Sequence, residues 1–219
     1  MKKINENKES ALSKVVIQYT DTQLDIIYAA ELAMGQEGIK NASHRDVIRY
    51  SKQKNISAIN YHFKGMDGVV DAILNIRMDV IDSERSKLIK KVEKNKTITN
   101  LDLISAYIDP LYQKVFYDPG WSNYIFFLND LISMRTNKEI SKIRDYNLAS
   151  NVLEKKIATL NNIPINAMYN ERVRTNARFF ISSFVSRKRE INTKSSDIIA
   201  EQDYINFIKK TSIYILTQQ

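Results

Sequence analysis

Ser43-His44-Arg45-Asp46-Val47-Ile48-Arg49-Tyr50-Ser51-Lys52-Gln53-Lys54-Asn55-Ile56-Ser57-Ala58-Ile59-Asn60-Tyr61-His62-Phe63 decides how the chain is read. Ser43 followed three residues later by Asp46 is a capping box, in which hydroxyl and carboxylate satisfy each other's orphan amides, so a helix is expected over 43–51. The polar run Ser51-Lys52-Gln53-Lys54 breaks the pattern. Asn55 is a strong N-cap for a further helix over 55–63, with Ile56, Ile59 and Phe63 expected on one buried face. Two short helices joined by a brief turn, the second carrying small and polar residues outward, have the layout of a helix-turn-helix, whose second member enters the major groove of DNA.

On the amino-terminal side, Thr22 as cap with Asp25 three residues on, then Leu24, Ile27, Ala30 and Met34 at helical spacing, predict a helix over 22–36 that Gly38 stops. Residues 1–20 read as a short helical arm. Downstream, Gly65-Met66-Asp67-Gly68 opens a helix reaching about residue 94, and Thr99 or Asn100 caps another to about Tyr117, kinked or broken near Pro110. Asp118-Pro119-Gly120 is a turn. Helices are expected at about 121–134, 137–161, 165–190 and 197–217, with Ser196 capping the last.

Composition agrees with this picture. Only five Gly and three Pro occur among 219 residues, too few turn residues for a β-sandwich, a barrel or a doubly wound sheet. Four of the five Gly lie within the first 68 residues, and all three Pro lie beyond. The fold expected is all-α, a three-helix head over 21–66 followed by a larger helical body over 67–219.

A hydrophobic content of 43% suffices for a core, while the longest strongly apolar stretch, Trp121 to Leu128, is far short of a membrane span. Met1 to Ser10 is lysine-rich without an apolar segment of the secretory kind, so a cytoplasmic protein is expected. With no Cys there is no disulfide framework or thiolate site, and neither His44 nor His62 has a second ligand at metal spacing. Phosphate-loop, dinucleotide, nucleophile-elbow and zincin motifs are absent from the sequence. No enzyme, cofactor or metal is therefore expected. The formal charge is +8, and Lys40 to Lys64 carries six basic residues against the single acid Asp46, which suits a polyanionic partner.

Residues Thr22 to Leu74 resemble the amino-terminal domain of the tetracycline-repressor (TetR) family of bacterial transcription regulators. The family's opening Ile-Leu-x-Ala-Ala helix matches Ile26-Ile27-Tyr28-Ala29-Ala30 up to Gly38, and its Ser-x-Arg-Asp-Ile element matches Ser43-His44-Arg45-Asp46-Val47. The recognition helix of one subgroup, Val-Asn-Leu-Ala-Ala-Val-Asn-Tyr-His-Phe, matches Lys54 to Phe63, and Gly65 to Val69 stands where the family begins its next helix. This chain departs in its turn, where Lys52-Gln53-Lys54 has no Gly and adds one residue, and at Met66, where the family often has a phosphate-binding Lys. The resemblance then points to Lys52, Lys54 and Lys64 for backbone contacts.

That resemblance implies a DNA-binding transcription regulator, a repressor released from a pseudo-palindromic double-stranded operator by an apolar or amphipathic small molecule. Ser57, Ala58 and Asn60 suit base edges, Tyr61, His62 and Lys64 suit phosphates, and Asn55 opens the helix that carries them. Ser43 and Arg45 stand where a helix start meets the DNA backbone. In the body, Tyr107, Tyr112, Phe116, Tyr117, Trp121, Tyr124, Phe126 and Phe127 suit either plain core or the wall of an effector cavity. Tyr112, Trp121, Tyr124, Phe127 and Tyr169 are the effector-binding candidates, with Asn123, Arg135, Asn170 and Arg174 as further sources of polarity. Residues 165–217 carry more than one apolar stripe per helix, as pairing into a homodimer would need. The rival reading is a helical lipid- or small-molecule-binding protein, or a helical enzyme, that no longer binds DNA.

Overall fold

The structure is a computed structural model and describes residues 19–134, 148–194 and 196–218. Most of the arm expected over 1–20, the first part of the helix expected over 137–161, and Arg135 lie outside the described residues. The described elements are all helical: α1 (Asp21–Glu37), α2 (His44–Tyr50), α3 (Ser57–Phe63), α4 (Met66–Val92), α5 (Asn100–Tyr117), α6 (Tyr124–Met134), α7 (Leu148–Leu160), α8 (Ala167–Asn192) and α9 (Glu201–Thr217), with a 3-10 turn at Pro119–Trp121.

Local capping chemistry sets several of these boundaries. The Ser43/Asp46 box forms, the Ser43 amide and hydroxyl donating to Asp46 at 2.9 and 2.6 Å. Thr99 caps α5 through the same reciprocal pair with Asp102. Helix α1 begins earlier than expected, because Thr20 and not Thr22 is its cap, paired with Gln23. Asp25, released from capping, reaches the helix-turn-helix turn instead, where its Oδ2 accepts the Lys52 amide at 2.8 Å and the Gln53 side-chain amide at 3.3 Å. Together with Ser51, whose Oγ accepts the Gln53 amide at 3.1 Å, it braces a turn that has no Gly.

Three other expectations are corrected. Of the kink or break expected near Pro110, the break is absent, since α5 continues through that residue. Helix α9 starts at Glu201 after Ala200, with no side-chain cap, while the Ser196 hydroxyl donates to the neighbouring Asp197. Ile56 is 42% exposed, so only Ile59 and Phe63 of its expected trio are buried.

Helix α1 packs on α2, α4 and α6, and α3 packs on α4, so α1 to α3 sit directly on the body. In the body α4, α5 and α7 pack together, and α8 lies against α6 and α9. The approach of α1 to α6 is close: a Cβ at Gly35 would lie 2.8 Å from the Asn123 carbonyl oxygen, closer than such contacts allow. Gly38, at φ +87°, ends α1, and the Asp130 carboxylate of α6 accepts the following Ile39 amide at 2.6 Å. Deeper in, Arg77 of α4 grips Glu31 of α1 through two 2.6 Å hydrogen bonds and donates to the Gly120 carbonyl at 2.6 Å. Its guanidinium lies 4.4 Å from the centre of the Trp121 ring. Burial pushes the Glu31 carboxyl above its ordinary range, and the Arg77 hydrogen bond and charge oppose that rise.

Candidate nucleic-acid interface

Helices α2 and α3 meet at a shallow surface groove lined by Ser43, His44, Arg45, Ile56 and Asn60. Ser43, Arg45, Asn55, Ser57, Asn60, Tyr61 and Lys64 are exposed, whereas Ala58 and His62 are half-buried. Ile59 and Phe63 anchor α3 on the core, which fixes the opposite face toward solvent. Tyr61 is 83% exposed, an aromatic ring held in water with only the edge of His62 against it, ring centres 4.9 Å apart. Burial against the head accounts for the His62 position, whereas Tyr61 keeps most of its ring in water.

Charge around this face is one-sided. Asp46, the single acid of the segment, accepts from Ser43 and pairs with Arg49 at 3.3 Å, and the Ser43 hydrogen bonds hold its carboxyl below its ordinary range. Arg49 also turns toward Tyr50, whose hydroxyl donates to Gln36 at 2.9 Å. Lys40, Arg45, Lys52, Lys54 and Lys64 have no carboxylate partner among the described residues. An exposed helix with hydroxyl, amide and phenol groups amid five such cations can take phosphates and base edges.

Lys64 has a left-handed backbone, φ 60°, and Gly65 follows at φ 118°, so chain direction reverses between α3 and α4. Gly68 then passes so near Phe63 that a Cβ would overlap its carbonyl oxygen at 1.8 Å. These two glycines lock α3 against the first turn of α4.

Within the body lies a cavity of about 90 Å³ walled by α4 to α8. Its apolar lining includes Met78, Ile81, Leu111, Leu128, Ile132, Val173, Phe180 and Ile181, and its polar side carries Arg85, Tyr107, Ser150, Glu154 and Arg174. Arg85 Nε donates to the Tyr107 carbonyl at 2.9 Å, its Nη1 donates to the Ser150 hydroxyl, and the Tyr107 hydroxyl donates to Glu154 at 3.1 Å. Burial lowers the Arg85 proton affinity.

Of the candidates for effector contact, Tyr112 packs among Phe116, Phe184 and Tyr204, Trp121 stacks on Arg77, and Tyr124 and Phe127 are wholly buried beside each other. Tyr169 donates its hydroxyl to the Glu154 carbonyl at 2.6 Å. None of these five lines the cavity, whereas Tyr107 and Arg174 do. Arg85 and Glu154 escaped the sequence reading, yet a signal existed: Val70, Leu74, Arg77, Ile81 and Arg85 recur at helical spacing, placing two arginines on an apolar stripe.

The arrangement of a small helical head seated on this body matches Mycobacterium smegmatis AmtR, with 16% sequence identity over 94% of this chain and 91% of that one, at a TM-score of 0.53. The chain shares the fold of that protein. A protein from Rhodococcus sp. described as a TetR-family transcriptional regulator aligns at 17% identity over 90% of this chain and 98% of that one, with a TM-score of 0.49. The multidrug binding protein EbrR, solved with imidazole, aligns at 13% identity over 92% of this chain and 98% of its own, with a TM-score of 0.44. No family model matches the sequence, and no curated protein matches it either. No helix among the described residues is long and apolar enough to cross a membrane.

Proposed function

We propose that the chain is a TetR-like transcription regulator, a repressor that binds a pseudo-palindromic operator as a homodimer and leaves it when an apolar or amphipathic small molecule enters the body. The observation that carries this reading is the α2–α3 face, an outward helix bearing a solvent-held Tyr61 amid five cations without carboxylate partners among the described residues. Ser43, Arg45, Asn55, Ser57, Ala58, Asn60, Tyr61, His62 and Lys64 are the residues assigned to DNA. For the effector, the cavity walls supersede the aromatic candidates.

Adjacent residues of α4 support the coupling. Arg77 holds Glu31 of the head helix, and Met78 faces the cavity. A ligand that shifts α4 therefore bears on α1 through neighbouring residues of one helix, and by reciprocity DNA binding weakens ligand binding. Dimerisation through residues 165–217 is supported by the outer face of α8 and α9, where Phe207 and Tyr214 are 55% and 63% exposed and Phe179 meets Phe207 edge-on at 6.4 Å. Small residues at Thr175, Ser182, Ser183 and Ser186 line the groove beside them, room for a second copy's helix.

A mobility-shift assay with DNA flanking the chain's own gene, at two salt concentrations, tests the reading. Selective binding to a two-fold site, weakening steeply with salt as released counterions demand, is the expected result. Equal weak binding to every duplex would refute it.

A further inference from the structure

Ile56 occupies a position that the chain's own stability does not explain. It stands at the very start of α3 with helical backbone angles, φ −57° and ψ −32°. Asn55, one residue before it, satisfies an orphan amide of the first turn, its Oδ1 accepting from the Ser57 amide at 2.9 Å, so Ile56 is not needed for capping. The branched aliphatic side chain of Ile56 is 42% exposed rather than packed with Ile59, which is wholly buried. It borders the groove between α2 and α3 with Ser43, His44, Arg45 and Asn60. A branched aliphatic side chain that leaves apolar surface in water, within a strongly cationic face, marks a contact with a partner outside the chain.

The partner must be anionic overall and must still present an isolated apolar group. In the major groove the only apolar feature of a base edge is the thymine 5-methyl, and side chains at the start of a recognition helix are those that reach base edges. Resting on the DNA-binding reading above, we infer that Ile56 is a specificity-determining residue that selects thymine in each half-site by packing against its 5-methyl group. Arg45 and Ser43 flank the contact on the α2 side, and Asn60 lies one turn along α3.

The test uses the full-length protein and a duplex enriched by binding from a random pool. Each thymine is replaced in turn by deoxyuridine, which removes one methyl and leaves the pairing edge intact. For the wild type, one position per half-site loses about threefold to fivefold in affinity, the worth of one buried methyl. Ile56→Ala binds thymine and uracil duplexes equally at that position, while Ile56→Val retains most of the discrimination. The inference is overturned if Ile56→Ala discriminates as strongly as the wild type, or if no thymine-to-uracil change affects the wild type. If the pool yields no enriched duplex, the DNA-binding reading fails with it, an outcome distinct from selective binding without methyl discrimination.

Discussion

At the scale of single residues, hydroxyl and carboxylate pairs decide where the short helices begin. The Asp46 carboxyl is lowered chiefly by its hydrogen bond from the Ser43 hydroxyl and then by the Ser43 amide, and Asp102 is lowered in the same order by Thr99. A carboxyl whose folded pKa is depressed adds stability above its unfolded pKa of about 3.9, and that stability fades as pH falls through the folded value. Thermal melts taken from pH 5 downward should therefore show a loss of stability in the acid range, and the double variant Ser43→Ala/Thr99→Ala a shallower one. Identical acid limbs for the two proteins would contradict the role given to these pairs. Both boxes were legible in the sequence, because their partners lie three residues apart. Thr22 misled because Thr20 lies two residues ahead in the same polar run, with Gln23 at the right spacing for it, and the choice between them turned on Asp25. Asp25 reaches across 27 residues to the Lys52 amide, a contact that no local pattern carries.

At the scale of elements, the joint between α1 and α4 holds head and body together. Glu31 and Arg77 have side chains only 4% and 8% exposed, so the pair is desolvated and each partner needs the other. Removing one ion of such a pair costs about 3–5 kcal/mol, whereas replacing both with apolar residues of similar volume is often nearly neutral. Arg77→Met should thus lower the unfolding free energy measured in denaturant by about that amount, and Glu31→Leu/Arg77→Met should recover most of the loss. A single variant within about 1 kcal/mol of the wild type would show that the joint rests elsewhere. The amphipathic pattern of α4 was readable from Val69, Val70, Ile73, Met78 and Ile81, but a charge inside a helix normally reads as solvated, so Arg77 and Arg85 went unseen. The same limit applied to the cavity. Tyr112, Trp121, Tyr124 and Phe127 are buried and pack outside the cavity, whereas Tyr107 and Phe180 line it, and no spacing in the sequence separates the two groups of aromatics.

At the scale of the whole molecule, scarcity of Gly and Pro was enough to read long helices in place of a turn-rich fold, and the described elements are helical. Three of the five glycines mark joints: Gly38 ends α1, and Gly65 and Gly68 turn α3 back onto α4. What the pattern of residues left open was which faces stay in water, since exposure depends on every helix at once. Ile56 and Ile59 look alike in sequence, yet Ile59 is buried and Ile56 borders the groove. The outward Tyr61 is the feature on which the functional account turns. Its hydroxyl suits a phosphate oxygen, and a hydrogen bond to a charged group is worth roughly 1.5–3 kcal/mol. The direct measurement is the affinity of Tyr61→Ala for the duplex that the wild type selects, taken with its melting temperature. A loss of about tenfold or more in affinity with melting unchanged is the expected result, because the ring touches little of the fold; wild-type affinity in that variant would contradict the assignment of this face to DNA.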